Sequence, residues 1–175
     1  MTDELRVRTL TPDDRAAWLR LRSELWNDHS VEELAREVDT YLEGRGFGTI
    51  EGRPLPGTVL LAERGSREVI GFAEVTLRPF ADGCASNPVG YLEGWYVVPE
   101  ERRRGVGGAL VRAAEDWARE RGCSEMASDT LLDNLLGERS HRALGFEEVH
   151  RTIHSRRSLT GNSPSTKRRR TAARH

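Results

Sequence analysis

Residues 93–110 read Glu-Gly-Trp-Tyr-Val-Val-Pro-Glu-Glu-Arg-Arg-Arg-Gly-Val-Gly-Gly-Ala-Leu, and no other stretch restricts the fold as tightly. A strand-like run ends at a proline, arginines and glycines crowd the next few positions, and an amphipathic helix begins at once. A chain that passes from strand to helix through so short a turn packs that helix against the sheet its strand belongs to. Small residues at the helix start leave the first backbone N–H groups open, and the macrodipole and flanking guanidinium groups favour an anion there. The segment therefore reads as a cradle for a pyrophosphate. A Walker loop fails because no lysine follows the glycines, and a dinucleotide fingerprint fails because Gly105-Val106-Gly107 continues as Gly108-Ala109-Leu110. The remaining alternative is a glycine turn that only packs a helix on a sheet, its arginines solvated.

The flanking sequence supplies the sheet. Leu5 to Thr9 alternates like a half-buried strand, and Thr11-Pro12-Asp13-Asp14 offers a cap, an N1 proline and first-turn acids for a helix to about Asn27. Ser30 and Glu33 form a capping box, and Val31, Leu34, Val38 and Leu42 set the face of a second helix to about Glu43, stopped by Gly44, Gly46 and Gly48. Residues 49–57 read as a loop. Thr58 to Glu63 and Val69 to Leu77 read as a hairpin, and Val89 to Val98 as a strand whose Gly94 marks a bulge or a close backbone approach. Val106, Leu110, Ala113 and Trp117 define a helix from about Arg104 to Arg121. A strand over Ser124 to Ser128, a helix over Asn134 to Leu144 and a last strand over Phe146 to Ser155 complete the order βααβββαβαβ. The expectation is an α/β fold, a mixed sheet of about six strands flanked by about four helices.

Its 175 residues fit one domain, expected over residues 1–160. Residues 161–175 are rich in Ser, Pro and Arg and nearly devoid of apolar side chains, so a disordered basic tail is expected there. The formal charge of −1 divides into +5 on that tail and −6 on the body. An acidic body favours a cationic small-molecule ligand and disfavours nucleic acid as the main partner. Cys84 and Cys123 have neither a CxxC spacing nor a secretory context, so neither a disulfide framework nor a metal site is expected. No apolar run approaches the roughly 20 residues that span a bilayer and no signal peptide is apparent, which points to the cytoplasm and away from membranes.

Arg102-Arg103-Arg104-Gly105-Val106-Gly107 matches the Arg/Gln-x-x-Gly-x-Gly/Ala signature of the GNAT superfamily of acyl-CoA-dependent N-acetyltransferases. Asn134 through Ala143-Leu144-Gly145-Phe146 resembles that superfamily's later helix and strand entry, and together the matches cover most of residues 5–155. Within it, Leu21-Arg22-Ser23-Glu24-Leu25-Trp26-Asn27-Asp28-His29-Ser30-Val31-Glu32-Glu33 resembles a segment of the aminoglycoside 6'-N-acetyltransferases, as do residues 88–97 and 127–134.

The resemblance implies the GNAT fold, mostly antiparallel, with a fourth strand that splays from the fifth at a bulge. It implies acetyl-CoA as co-substrate. Trp95, Tyr96 and Val97 match positions that hold the pantetheine arm, Arg102, Arg103, Arg104, Gly105, Val106, Gly107 and Gly108 match the pyrophosphate loop, and Asn134 matches a cofactor contact. The family's aminoglycoside contacts fall on Trp26, Phe80, Glu93 and Asp129, with His29 a further candidate. A homodimer with the C-terminal strand near its interface is also implied.

The chemistry fits these residue types. A polycation needs carboxylates for its ammonium groups and an aromatic wall for its sugar ring. Glu93 is the candidate base for the attacking amine, directly or through water, and the Val97 N–H the candidate oxyanion donor. His141 stands where many GNAT members carry a tyrosine and is the candidate acid for the leaving thiolate. His150 replaces an acid and Phe80 a tyrosine of close relatives. Two alternatives stay open: a GNAT enzyme for another amine (a polyamine, an amino sugar or a protein N-terminus) and a non-catalytic acyl-CoA-binding module.

Overall fold

The computed structural model describes residues 4–50, 52–65 and 68–159. Its elements are β1 (Leu5–Thr9), α1 (Arg15–Leu25), α2 (Val31–Thr40), β2 (Thr49–Ile50), β3 (Arg53–Pro54), β4 (Gly57–Arg64), β5 (Glu68–Arg78), β6 (Val89–Val97), α3 (Val106–Arg119), β7 (Met126–Ser128) and α4 (Leu135–Ala143). The main sheet runs β1-β4-β5-β6-β7, with every pair antiparallel except β6 and β7. β4 and β5 are buried along most of their length, as central strands covered on both faces must be.

Two cores account for that burial. α1 and α2 cover one face, where Trp18, Leu21 and Val38 pack with Phe72 and Tyr96. α3 covers the other, where Val106, Leu110 and Ala114 pack with Ala73, Val75 and Leu92. The capping box of α2 is present, with the Ser30 hydroxyl accepting the Glu33 N–H at 3.2 Å. Among the described residues no helix is long and apolar enough to cross a membrane.

The sequence expectation needs two corrections. The main sheet has five strands rather than six, because residues 146–155 form no regular structure. The apolar residues of that segment, Phe146, Val149 and Ile153, are spaced by three and four rather than by two, and a strand is held by cross-strand pairs and a covered face. β7 is only three residues long, and Val149 and Ile153 are exposed with no element packed over them. Residues 49–57, read as a loop, contain the small hairpin β2-β3. The expected basic tail lies outside the described residues.

One irregularity positions everything that follows. Glu74 pairs with Gly94 and Val75 with Leu92, so Glu93 is an extra residue in β6 with no partner on β5. Such a bulge reverses which face alternate side chains occupy. Before it, Leu92 joins the α3 core; after it, Trp95 and Val97 do so, while Tyr96 joins the α1 core.

Candidate active site

β6 has a partner on its outer side only where Gly90–Leu92 meet Met126–Ser128. Beyond Leu92 the two strands part and the edge of β6 is open. Val98 donates its N–H to Ile70 O at 2.9 Å, and in an antiparallel ladder successive residues point their hydrogen-bonding groups to opposite sides. The Val97 N–H and C=O therefore face the open edge, and Arg102 Nε reaches the Val97 carbonyl from there at 2.9 Å.

The turn after β6 forms the expected concavity. Arg103 and Gly105 take positive φ, 60° and 84°, which turns the chain into α3 without a side-chain cap. The first intrahelical bond runs from Ala109 N to Gly105 O, so the N–H groups of Val106, Gly107 and Gly108 have no helical acceptor. A side chain on Gly107 is excluded by Trp95, whose Cζ3 would lie 2.8 Å from an added Cβ. The three arginines diverge. Arg102 turns inward to Val97 O and lies 5.4 Å from the Tyr96 ring centroid, Arg104 pairs with Glu101, and Arg103 is exposed. Open N–H groups, small residues and an exposed guanidinium fit the pyrophosphate of a CoA, and the open edge at Val97 fits an extended amide-bearing arm.

The bulge aims Glu93 into a polar cluster on the α1 face. Glu93 Oε1 accepts the Thr76 hydroxyl at 2.5 Å and Arg78 Nε at 3.0 Å, and Oε2 accepts Arg78 Nη2 at 2.6 Å. The Arg78 guanidinium lies 3.4 Å from the Tyr91 ring centroid. Tyr91 in turn donates its hydroxyl to Asp129 Oδ1 at 2.7 Å. Burial, followed by that carboxylate, pushes the Tyr91 phenol well above its ordinary value. Trp26 lies against the backbone at Gly94, with its ring over the guanidinium of Arg22 at 4.7 Å.

His141 closes the far side. Its Nδ1 is 2.8 Å from Gly137 O and its Nε2 2.9 Å from Ser128 Oγ, which itself donates to Leu92 O. A carbonyl only accepts, so Nδ1 carries a hydrogen. The ring meets Trp95 and Phe146 edge-on. Asn134 caps α4, its Oδ1 accepting the Gly137 N–H at 2.9 Å.

A model described as the acetyltransferase (GNAT) family matches residues 18–146. The chain belongs to the GNAT acetyltransferases. It is 48% identical over 143 residues to an aminoglycoside N(6')-acetyltransferase type 1 of Klebsiella aerogenes, covering 82% of this chain and 90% of that one. Its fold is similar to that of aminoglycoside N-acetyltransferase AAC(6')-Iy in complex with CoA (TM-score 0.77, 32% identity, 90% of this chain and 97% of that one). The same enzyme in complex with the bisubstrate analogue CoA-S-monomethyl-acetylneamine gives a TM-score of 0.76, with 32% identity over 89% and 99% of the two chains.

Within this GNAT scaffold the expected residues form one contiguous path, from Trp26 through Glu93 and Asp129 to His141, Trp95 and Gly107. His29 and Phe80 stand outside it. His29 is exposed and bonded to Asp28 at 3.0 Å, and Phe80 is 71% exposed. Sequence reasoning missed Thr76, Arg78, Tyr91 and Ser128, which join the carboxylates to each other and to His141. The available signal was a polar row at alternate positions, Glu74-x-Thr76-x-Arg78, within an otherwise apolar strand.

Proposed function

We propose that this GNAT enzyme transfers the acetyl group of acetyl-CoA to the 6'-amine of aminoglycosides, by direct attack of the amine in a ternary complex. One observation carries the reading. A cradle of open N–H groups and two carboxylates beside an aromatic plate meet at the open edge of β6. The aminoglycoside N(6')-acetyltransferase of Klebsiella aerogenes and the acetylneamine bisubstrate complex, to which the chain is similar, point to the same acceptor.

The thioester supplies an activated acetyl group. Cradle residues Arg103 through Gly108, flanked by Arg102, hold its diphosphate, while Trp95 and Val97 present backbone groups to the arm, Tyr96 between them ties the strand to β5, and Asn134 lies beside the arm. The Val97 N–H donates to the carbonyl oxygen as charge builds there. Glu93 and Asp129 receive ammonium groups and Trp26 stacks a sugar ring. The attacking amine loses its proton toward Glu93, the N–C bond forms as C–S breaks, and the His141 imidazole, beside Ser128, supplies the proton taken up by sulfur. The product has one ammonium fewer, so it binds an anionic target less tightly, and resistance follows.

We further place the chain in the cytoplasm, consistent with free thiols at Cys84 and Cys123, as a homodimer. The exposed Val149, Ile153 and Leu159 of the final segment are apolar surface that a second copy covers. The acetyltransferase domain spans residues 1–160, and residues 161–175 are a basic extension by composition.

Thiol release from acetyl-CoA tests the function, with kanamycin, tobramycin, spermidine and a generic peptide amine as separate acceptors. Turnover confined to the drugs with a free 6'-amine is the expected result. Turnover with the polyamine or peptide alone, or none, overturns the acceptor assignment.

A further inference from the structure

Glu93 is not a bare carboxylate, and the group that engages it sits on the neighbouring strand. Arg78 binds both of its oxygens, at 3.0 and 2.6 Å, with the planar fork geometry that only an arginine provides. Thr76 occupies a second position on Oε1. Two carboxylate oxygens offer about four acceptor directions, and three are filled by these donors. The direction left open is on Oε2.

The same guanidinium stacks on Tyr91, which anchors Asp129. Arg78 is therefore the common support of the two carboxylates. Oδ2 of Asp129 takes no hydrogen bond among the described residues, so Asp129 presents an unfilled oxygen and Glu93 one open direction on Oε2. Charge works in the same direction, because Arg78 cancels one of the two negative charges. A cation is then selected by where its N–H groups point, not by net attraction alone.

We propose that Arg78 is a positioning residue for the acceptor: it holds Glu93 with a single open direction at Oε2 and, through Tyr91, fixes the spacing from Glu93 to Asp129 for a rigid polyamine sugar. This rests on the acceptor reading given above. Arg78 acts through Glu93 and contacts no reacting atom. A structural role in β5 alone would disturb both substrates, whereas a positioning role disturbs only the acceptor.

The test is a double-mutant cycle on the full chain, with kcat and both KM values measured for wild type, Arg78→Met, Glu93→Gln and the double variant. Arg78→Met keeps the apolar stem and should lower kcat/KM for kanamycin by about 10- to 100-fold, since small misplacements of a binding group cost that much. The KM for acetyl-CoA should not change. In the Glu93→Gln background the same change should cause a clearly smaller loss than in wild type, because only the route through Tyr91 to Asp129 is then left to break. Arg78→Lys keeps the charge without the fork and should recover only part of the loss, and a thermal melt of each variant confirms folding. Additive losses, or equal effects on the two substrates, overturn the inference while wild-type turnover keeps the functional reading intact. Absence of wild-type turnover with any 6'-amine drug overturns the reading and the inference together.

Discussion

Gly94→Val should reduce kcat/KM for the acceptor by about 10- to 100-fold, matching the roughly 1–3 kcal/mol that an overpacked contact costs. A Cβ at residue 94 would lie 2.7 Å from Cζ2 and 2.8 Å from Cη2 of Trp26, with Leu25 at 3.4 Å. The indole can yield only by giving up its present packing, in which the Arg22 guanidinium lies 4.7 Å from its centroid and Phe72 packs at 6.0 Å. Either the ring swings away from the sheet, removing the plate on which a sugar stacks, or β6 shifts at the bulge and carries Glu93 with it. Both outcomes act on the acceptor. Steady-state kinetics with each substrate varied separately checks this: the acceptor KM should rise by more than the acetyl-CoA KM. An equal rise in both would mean that the whole of β6 had moved.

The features legible in the sequence are those that neighbouring residues settle among themselves. The α2 capping box and the arginine-glycine turn into α3 are of this kind, since a helix start is decided within one turn. Gly94 also announced a bulge, but that Glu93 is the extra residue depends on the register of β5, which no local pattern encodes. The cluster that organises the acceptor side escaped for the same reason. Thr76 and Arg78 read as polar interruptions of an apolar strand until β6 is laid beside them. The segment from Phe146 to Ser155 shows the reverse case: its apolar residues, Phe146, Val149 and Ile153, lack the period of two that a half-buried strand needs, and the fold gives it no partner strand.

The second large effect concerns charge buried beneath the acceptor wall, and it should depend on pH. Glu74 is 2% exposed. It accepts Trp18 Nε1–H at 2.9 Å and lies 3.3 Å from Arg22 Nε, while the other end of that guanidinium bonds Glu37 at 2.7 Å. Burial pushes the Glu74 carboxyl up from 4.5 to about 7, with Arg22 opposing the rise and Glu37 and Glu93 adding to it. The folded state thus keeps this proton to a higher pH than the unfolded chain does. Its contribution to stability is fully present below 4.5 and is lost as pH rises through 7. Arg22→Met keeps much of the stacking surface against Trp18 and Trp26 but removes the charge that opposes the rise, so the buried Glu74 must hold its proton to a still higher pH. Each pH unit by which the proton is kept above the wild-type value of about 7 corresponds to about 1.4 kcal/mol, so at about pH 8.5, where the wild-type carboxyl is charged, urea unfolding should register a charge-dependent loss of up to about 2 kcal/mol. At about pH 5.5 the carboxyl is protonated in the folded state and the loss should be much smaller. Adding Glu74→Gln to Arg22→Met should recover most of that loss at the higher pH, since no buried carboxyl then has to hold a proton. A loss of equal size at both pH values would instead mean that Arg22 stabilises the fold by packing between two indoles, and that the charge of Glu74 contributes little.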